Sequence, residues 1–163
     1  QSAIQVFTRA EYAEVWAEIM NDFALAAQIL GEHLRNPEVT QSAIDACRSA
    51  LEVRTRNAHP LWWAATKNNL GSALFMLAKQ GRGTEELEEA AGVFAEVRDL
   101  YEEREATRQA AIAEKNLGRV VKLLEKRGSR GVPKMKWEQE AERKEEARAG
   151  AAAKEGVNSK DPK

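Results

Sequence analysis

Residues 62–81 read WWAATKNNLGSALFMLAKQG, and this stretch carries the pattern that decides the fold. Four of its apolar residues follow the spacing i, i+3, i+4 and i+7: Leu70, Ala73, Leu74 and Leu77. That spacing places their side chains on one face of an α-helix. The stretch ends at Gly81, a residue type that often follows the last turn of a helix. The sequence therefore predicts an amphipathic helix here.

The same pattern recurs at a period of 47 residues. Trp16-Ala17 corresponds to Trp63-Ala64, and Asn69-Leu70-Gly71 corresponds to Asn116-Leu117-Gly118. The opening residues QSAIQVFTR match RSALEVRTR at 48–56 in five of nine positions. Because one register holds without an insertion, we interpret the chain as an array of internal repeats. The equivalent helical stripes are Phe23, Ala26, Ala27 and Leu30 before it and Leu117, Val120, Val121 and Leu124 after it.

Each period also contains a second, shorter apolar stripe. It follows a break rich in Gly, Pro or Thr, such as LRNPEVTQ at 34–41 or GRGTEE at 81–86. A hairpin of two such helices is too thin to bury its apolar faces alone, so neighbouring hairpins must stack. The members of this second stripe are Ala43, Cys47 and Ala50 in one period and Ala90, Phe94 and Val97 in the next.

The register also predicts the organisation of the chain. The second helix of the last repeat, at 136–153, is mostly polar, as expected for a helix that caps a stack. Because the opening matches the interior of a repeat, we expect the chain to belong to a longer array. The predicted segments are 1–9, the end of a second helix from a preceding partial repeat; 10–56, 57–103 and 104–150, three repeats; and 151–163, a disordered tail.

The repeat resembles the tetratricopeptide repeat, in a lengthened form found in bacterial arrays. The resemblance rests on a Leu-Gly pair followed by a large residue, as in Leu70, Gly71 and Leu74, and on the second-helix stripe at 90–97. Gly lets two helices approach closely, and an aromatic ring fills the space beside it. The resemblance covers about residues 1–130. It implies an all-α fold, a right-handed superhelical stack of antiparallel helical hairpins.

The resemblance also implies a function. In tetratricopeptide proteins the first helices of the hairpins line a concave groove that holds a segment of a partner protein. Asn side chains can donate to and accept from a peptide backbone, and Lys and Arg can bind carboxylates. We therefore expect a protein-binding scaffold. The implied groove residues are Asn21, Leu25, Gln28, Asn68, Asn69, Ser72, Phe75, Met76, Lys115, Asn116, Arg119 and Lys122.

Charge is distributed unevenly, and two interpretations stay open. Residues 85–105 hold nine acidic and two basic side chains, whereas residues 115–136 hold eight basic and one acidic. Neighbouring helices could neutralise each other, or a basic groove wall could select an acidic partner. Two further alternatives concern the chain as a whole. It could be the regulatory or sensor region of a larger enzyme or signalling protein, or it could self-assemble into a homo-oligomer through its open N-terminal end.

The tryptophans raise a separate question. Trp16 and Trp63 occupy equivalent positions, so we expect both to pack within their hairpins. Trp62 has Val15 and Gln109 as its equivalents, so the repeat does not require an aromatic ring there. It is either a packing residue or an exposed anchor for a partner.

No constellation of residues indicates an enzyme. His33 and His59 lie in no metal-ligand spacing, and no glycine-rich phosphate-binding motif occurs. Cys47 stands where the next repeat has Phe94, so we expect it to fill the core. We predict neither catalysis nor a metal or cofactor. The net charge of −1 argues against nucleic acid, and no apolar run approaches the roughly 20 residues of a membrane span. A single cysteine is compatible with the cytoplasm, where we expect the protein.

Overall fold

The computed structural model describes residues 8–81 and 84–128. These residues form five α-helices and no β-strand: α1 (Ala13–Leu34), α2 (Pro37–Leu51), α3 (Pro60–Gln80), α4 (Glu85–Glu103) and α5 (Thr107–Arg127). Each helix packs against the next along the chain, and contacts also join α1 to α3 and α3 to α5. The prediction of an all-helical chain is confirmed. The predicted capping helix and tail, and residues 1–7 of the opening segment, lie outside the described residues.

Local chemistry fixes the short connection between α1 and α2. Arg35 takes a left-handed conformation, with φ of 51°, and ends α1. The side chain of Asn36 then accepts hydrogen bonds from the backbone N–H groups of Glu38 and Val39, at 2.9 and 3.3 Å. Pro37 follows as the first residue of α2, where its missing N–H has no cost. Two adjacent residues therefore end one helix and start the next.

The apolar stripes of the later helices form the core as the sequence predicts. All four stripe residues of α5 are buried, and in α3 Leu70, Ala73 and Leu74 are buried while Leu77 is half-buried. The small positions of the second helices are buried too. They are Ala43, Cys47 and Ala50 in α2 and Ala90, Phe94 and Val97 in α4.

The stripe predicted for α1 is wrong at three of its four residues, since only Ala27 is buried. Phe23 and Leu30 are 47% and 49% exposed, and Ala26 is exposed as well. In α3 the equivalent face packs against the preceding helix, whereas no helix of the described residues covers this face of α1. Helix α1 therefore buries a different face, adjacent to the predicted stripe, against α2. Its buried residues are Ala17, Ala24, Ala27 and Gly31.

A close contact between α3 and α4 sets the spacing of the central hairpin. A Cβ atom placed on Gly71 would lie 2.9 Å from Cζ of Phe94, closer than carbon atoms can approach. Glycine thus lets the backbone of α3 rest directly on the aromatic ring. In the preceding hairpin the equivalent residues are Ala24 and Cys47, and both are buried. Ala24 has one carbon more than Gly71, and Cys47 compensates because its side chain is much smaller than that of Phe94.

Substitution of Gly71 by Ala should destabilise the protein, although alanine favours helices. The added methyl group must displace Phe94, at a cost of about 1–3 kcal/mol in the free energy of unfolding. Gly92→Ala is the matched control, since nothing lies within 4 Å of a Cβ at Gly92. The control should stabilise α4 by roughly 0.5–1 kcal/mol. Urea unfolding of both variants measures the difference, and equal free energies would contradict the tight contact.

Candidate functional site

Asparagine side chains connect the first helices of successive repeats. Asn69 Nδ2 donates to Asn21 Oδ1 at 3.0 Å, and Asn116 Nδ2 donates to Asn68 Oδ1 at 3.4 Å. Both contacts join residues 48 positions apart, so the same bridge links α1 to α3 and α3 to α5. All four residues were predicted as groove residues. The structure pairs them with one another, and the second amide hydrogen of each donor has no partner in these two bonds.

A hollow of about 200 Å³ lies beside these bridges. Its walls come from α1, α3, α4 and α5, and they bring half of the predicted groove residues together. Glu32 and Phe94 complete the lining, and sequence reasoning missed both as groove residues. The predicted residues in the lining are Gln28, Ser72, Phe75, Met76, Asn116 and Arg119.

Phe75 forms an aromatic wall of this hollow with cations beside it. The guanidinium carbon of Arg119 lies 5.1 Å from the ring centroid, and Lys79 Nζ lies 5.9 Å from it. Lys79 is also 3.9 Å from a carboxylate oxygen of Glu32. Cation–π contacts of this kind hold the ring in place. Glu32 and Lys79 each lie four residues beyond a predicted groove residue, Gln28 and Phe75, and that spacing was the signal that could have identified them.

The hollow continues towards the C-terminal end of α1. A second cleft, of about 540 Å³, shares Glu32 and Met76 with the first. Arg35, Lys79 and Gln80 add polar side chains to its lining. The two spaces therefore lie along one surface. Leu25, another predicted groove residue, is exposed on α1.

Four basic residues of α5 form one exposed stripe, which we call the basic stripe. Its members are Lys115, Arg119, Lys122 and Lys126, at i, i+4, i+7 and i+11. None of them forms an ion pair with a carboxylate of the described residues. Lys126 was not among the predicted groove residues. Within the part of the chain that the structure describes, one face of α5 thus carries four positive charges that form no ion pair with a carboxylate.

The acidic residues of α4 pair with earlier parts of the chain. Glu89 pairs with Arg48 at 2.9 Å, and Glu103 pairs with Arg56 at 2.9 Å. A third acid, Glu96, pairs with Lys67 of α3 at 2.8 Å.

An ion pair between α4 and α5 has the opposite polarity, since its cation belongs to α4. Arg98 Nη1 lies 3.2 Å from a carboxylate oxygen of Glu114. This pair does not neutralise a base of α5, and both interpretations of the charge distribution stay open.

Cys47 lies in the core, as the repeat register predicts, whereas His59 lies in the connection before α3. Cys47 is completely buried, and burial raises the pKa of its thiol to about 12, so the thiol stays protonated at neutral pH. His59 precedes α3 and stacks on Trp62, with ring centroids 5.5 Å apart. The described residues contain no cluster of three His, Cys, Asp or Glu side chains able to hold a metal ion. None of the five helices is both long and apolar enough to cross a membrane, as far as the described residues show.

Comparisons of this chain with protein-family models, with curated proteins and with solved structures found no match. The tetratricopeptide resemblance therefore stays a prediction from the residues that carry it.

The Asn21–Asn69 bridge should contribute measurably to stability. Each alanine substitution removes one partner, and the double-mutant cycle should give a coupling energy of about 0.5–1.5 kcal/mol. Thermal unfolding of the wild type, both single variants and the double variant provides the cycle. A cycle on Asn21 and Asn116, which are not bonded to each other, is the control. Equal coupling in both cycles would contradict the bridge.

The thiol of Cys47 should be unreactive in the folded protein. Because its pKa is about 12, very little thiolate is present at pH 8, and burial blocks access to it. A colourimetric disulfide reagent should label Cys47 only after urea unfolds the chain. Labelling of the native protein as fast as free cysteine would show that the site opens or that the thiol is ionised.

Proposed function

We propose that this protein is a binding module that holds an acidic segment of a partner protein along the first helices of its repeats. In this proposal the helices stack as a tetratricopeptide-like superhelix, and the groove comprises the hollow, the Asn bridges and the basic stripe. The observation that carries the proposal is the basic stripe, which has no carboxylate partner among residues 8–81 and 84–128 and lies beside a hollow with an aromatic wall. A cationic wall of this kind attracts carboxylates of complementary spacing.

The chemistry of the groove favours carboxylates over other groups. Arg119 can donate two parallel hydrogen bonds to one carboxylate, while Lys122 and Lys126 act as point charges. A single exposed ion pair contributes only about 0.2–1 kcal/mol, so affinity requires several pairs made together. Four cations on one stripe satisfy this requirement for a partner with several acidic residues. Binding should therefore weaken steeply as salt is added.

The Asn bridges give the groove a second kind of contact. Asn68 and Asn116 use one acceptor and one donor for their mutual bond, which leaves other donors and acceptors on each amide. Those groups can bond the N–H and C=O groups of a bound peptide. Side-chain contacts to a backbone do not depend on the peptide's sequence, so they position the segment while the basic stripe selects its charge.

A labelled peptide of eight glutamates tests the proposal by fluorescence polarisation. It should bind the wild type, and Arg119→Glu should weaken binding at least tenfold because an attraction becomes a repulsion. The matched control is Arg104→Glu, which changes the net charge equally at the exposed end of α4. A peptide of eight glutamines should not bind. Equal loss in both variants, or equal binding of both peptides, would contradict a specific acidic groove.

A second candidate function is self-association through α1. Six of the ten exposed large apolar residues in the described part of the chain lie on this helix, among them Phe23, Leu30 and Leu34. Exposed apolar patches of this extent mark interaction surfaces.

Light scattering at increasing concentration tests this candidate. The wild type should approach the mass of a dimer, and Phe23→Ser/Leu30→Ser should remain a monomer because it removes the apolar surface. Ile112→Ser is the control, since Ile112 is 49% exposed but lies on α5. A wild type that remains monomeric, or a control that dissociates the dimer equally, would contradict pairing through α1.

A further inference from the structure

Two of the predicted groove residues of α3, Asn68 and Ser72, lie on one stripe of the helix, and that stripe extends towards the start of the helix. Counting back from Ser72 in helical steps leads to Asn68, Ala65 and then Leu61, so Leu61 lies on the same stripe near the start of the helix. Leu61 and Trp62 are each 52% exposed. A shallow hollow of about 190 Å³ lies here, lined by His59, Pro60, Leu61 and Trp62. We call this surface the apolar end of the groove.

The Trp62 ring is held in place although half of it is exposed. The His59 ring stacks on it, with an interplanar angle of 20°, and the guanidinium carbon of Arg54 lies 5.2 Å from its centroid. Arg54 is only 6% exposed and donates to Thr66 Oγ1 at 3.4 Å. His59 Nε2 lies 3.3 Å from a carboxylate oxygen of Glu14. A side chain fixed from several sides loses little entropy when a partner covers it.

The stacking of the repeats does not require this arrangement. Leu61-Trp62 corresponds to Glu14-Val15 in the repeat before and to Arg108-Gln109 in the repeat after. Exposed tryptophan and leucine therefore occur together only in the central repeat. Tryptophan is also one of the residue types most enriched among the residues that dominate binding energy.

We propose that the bound segment carries a large apolar side chain that docks at the apolar end, about six residues from the acidic residue that pairs with Arg119, whose guanidinium lies beside Phe75. This inference rests on the proposed function and specifies its partner. From Leu61 to Phe75 the helix rises about 21 Å, since each residue adds about 1.5 Å. An extended chain covers that length with about six residues. The Asn68–Asn116 bridge lies between the two ends, and only an extended peptide leaves backbone groups free to bond it.

Synthetic peptides test the required spacing. The probe has four glutamates joined by five Gly and Ser residues to one leucine, made with the leucine either before or after the glutamates. One control peptide replaces leucine by serine, and another shortens the linker to one residue. Isothermal titration calorimetry gives each dissociation constant. One order of the long-linker peptide should bind at least tenfold tighter than its serine control, because the leucine is removed from water.

Protein variants show which residues bind the leucine of the peptide. Leu61→Ser/Trp62→Ser should lose the tenfold gain and keep the affinity for the serine peptide, because both residues lie outside the basic stripe. Both are exposed, and matching thermal unfolding curves would show that the variant is folded. Phe23→Ala, an exposed aromatic change on another face of the fold, should keep the gain.

The outcomes separate the two proposals. A leucine that adds nothing in either order, or a gain that survives in Leu61→Ser/Trp62→Ser, overturns the apolar end while the acidic groove stands. An equal gain with the one-residue linker overturns the extended spacing of about six residues. Failure of the serine peptide to bind overturns the proposed function itself.

Discussion

The contact between Gly71 and Phe94 is the constraint on which the central part of the structure depends. Because the glycine has no side chain, the Phe94 ring reaches the backbone of α3 and fixes how closely α3 and α4 approach. The same ring also lines the hollow between the first helices, together with Ser72 and Phe75. Packing inside the hairpin and the shape of the candidate site therefore depend on one aromatic side chain.

The distribution of ion pairs then determines the charge of this surface. Three acids of α4 pair with Arg48, Arg56 and Lys67, which precede them in the chain, and no cation of the basic stripe forms an ion pair with a carboxylate of the described residues. A chain with a net charge of −1 thus presents a locally cationic surface.

Much of the fold could be predicted from the sequence, because stripes such as Leu117, Val120 and Leu124 report burial directly. The stripe of α1 could not, since a repeat pattern shows which face can be covered and not whether a helix covers it. Within the candidate site, the groove positions implied by the tetratricopeptide resemblance include six of the lining residues. The sequence did not indicate that Phe94, a buried core residue, also lines the hollow. It also could not show that the Asn residues bond one another, because such pairs depend on the distance between two helices.

The most direct test of the central claim, an acidic segment bound along the first helices, is to map its contacts by NMR. The side-chain amides of Asn68 and Asn116 and the Nε–H of Arg119 are suitable probes, since they lie on or beside the groove. Titration with the eight-glutamate peptide should shift these signals together and leave those of Gln41 and Asn57 unchanged. Shifts spread evenly over the surface, or confined to residues outside the groove, would contradict the account.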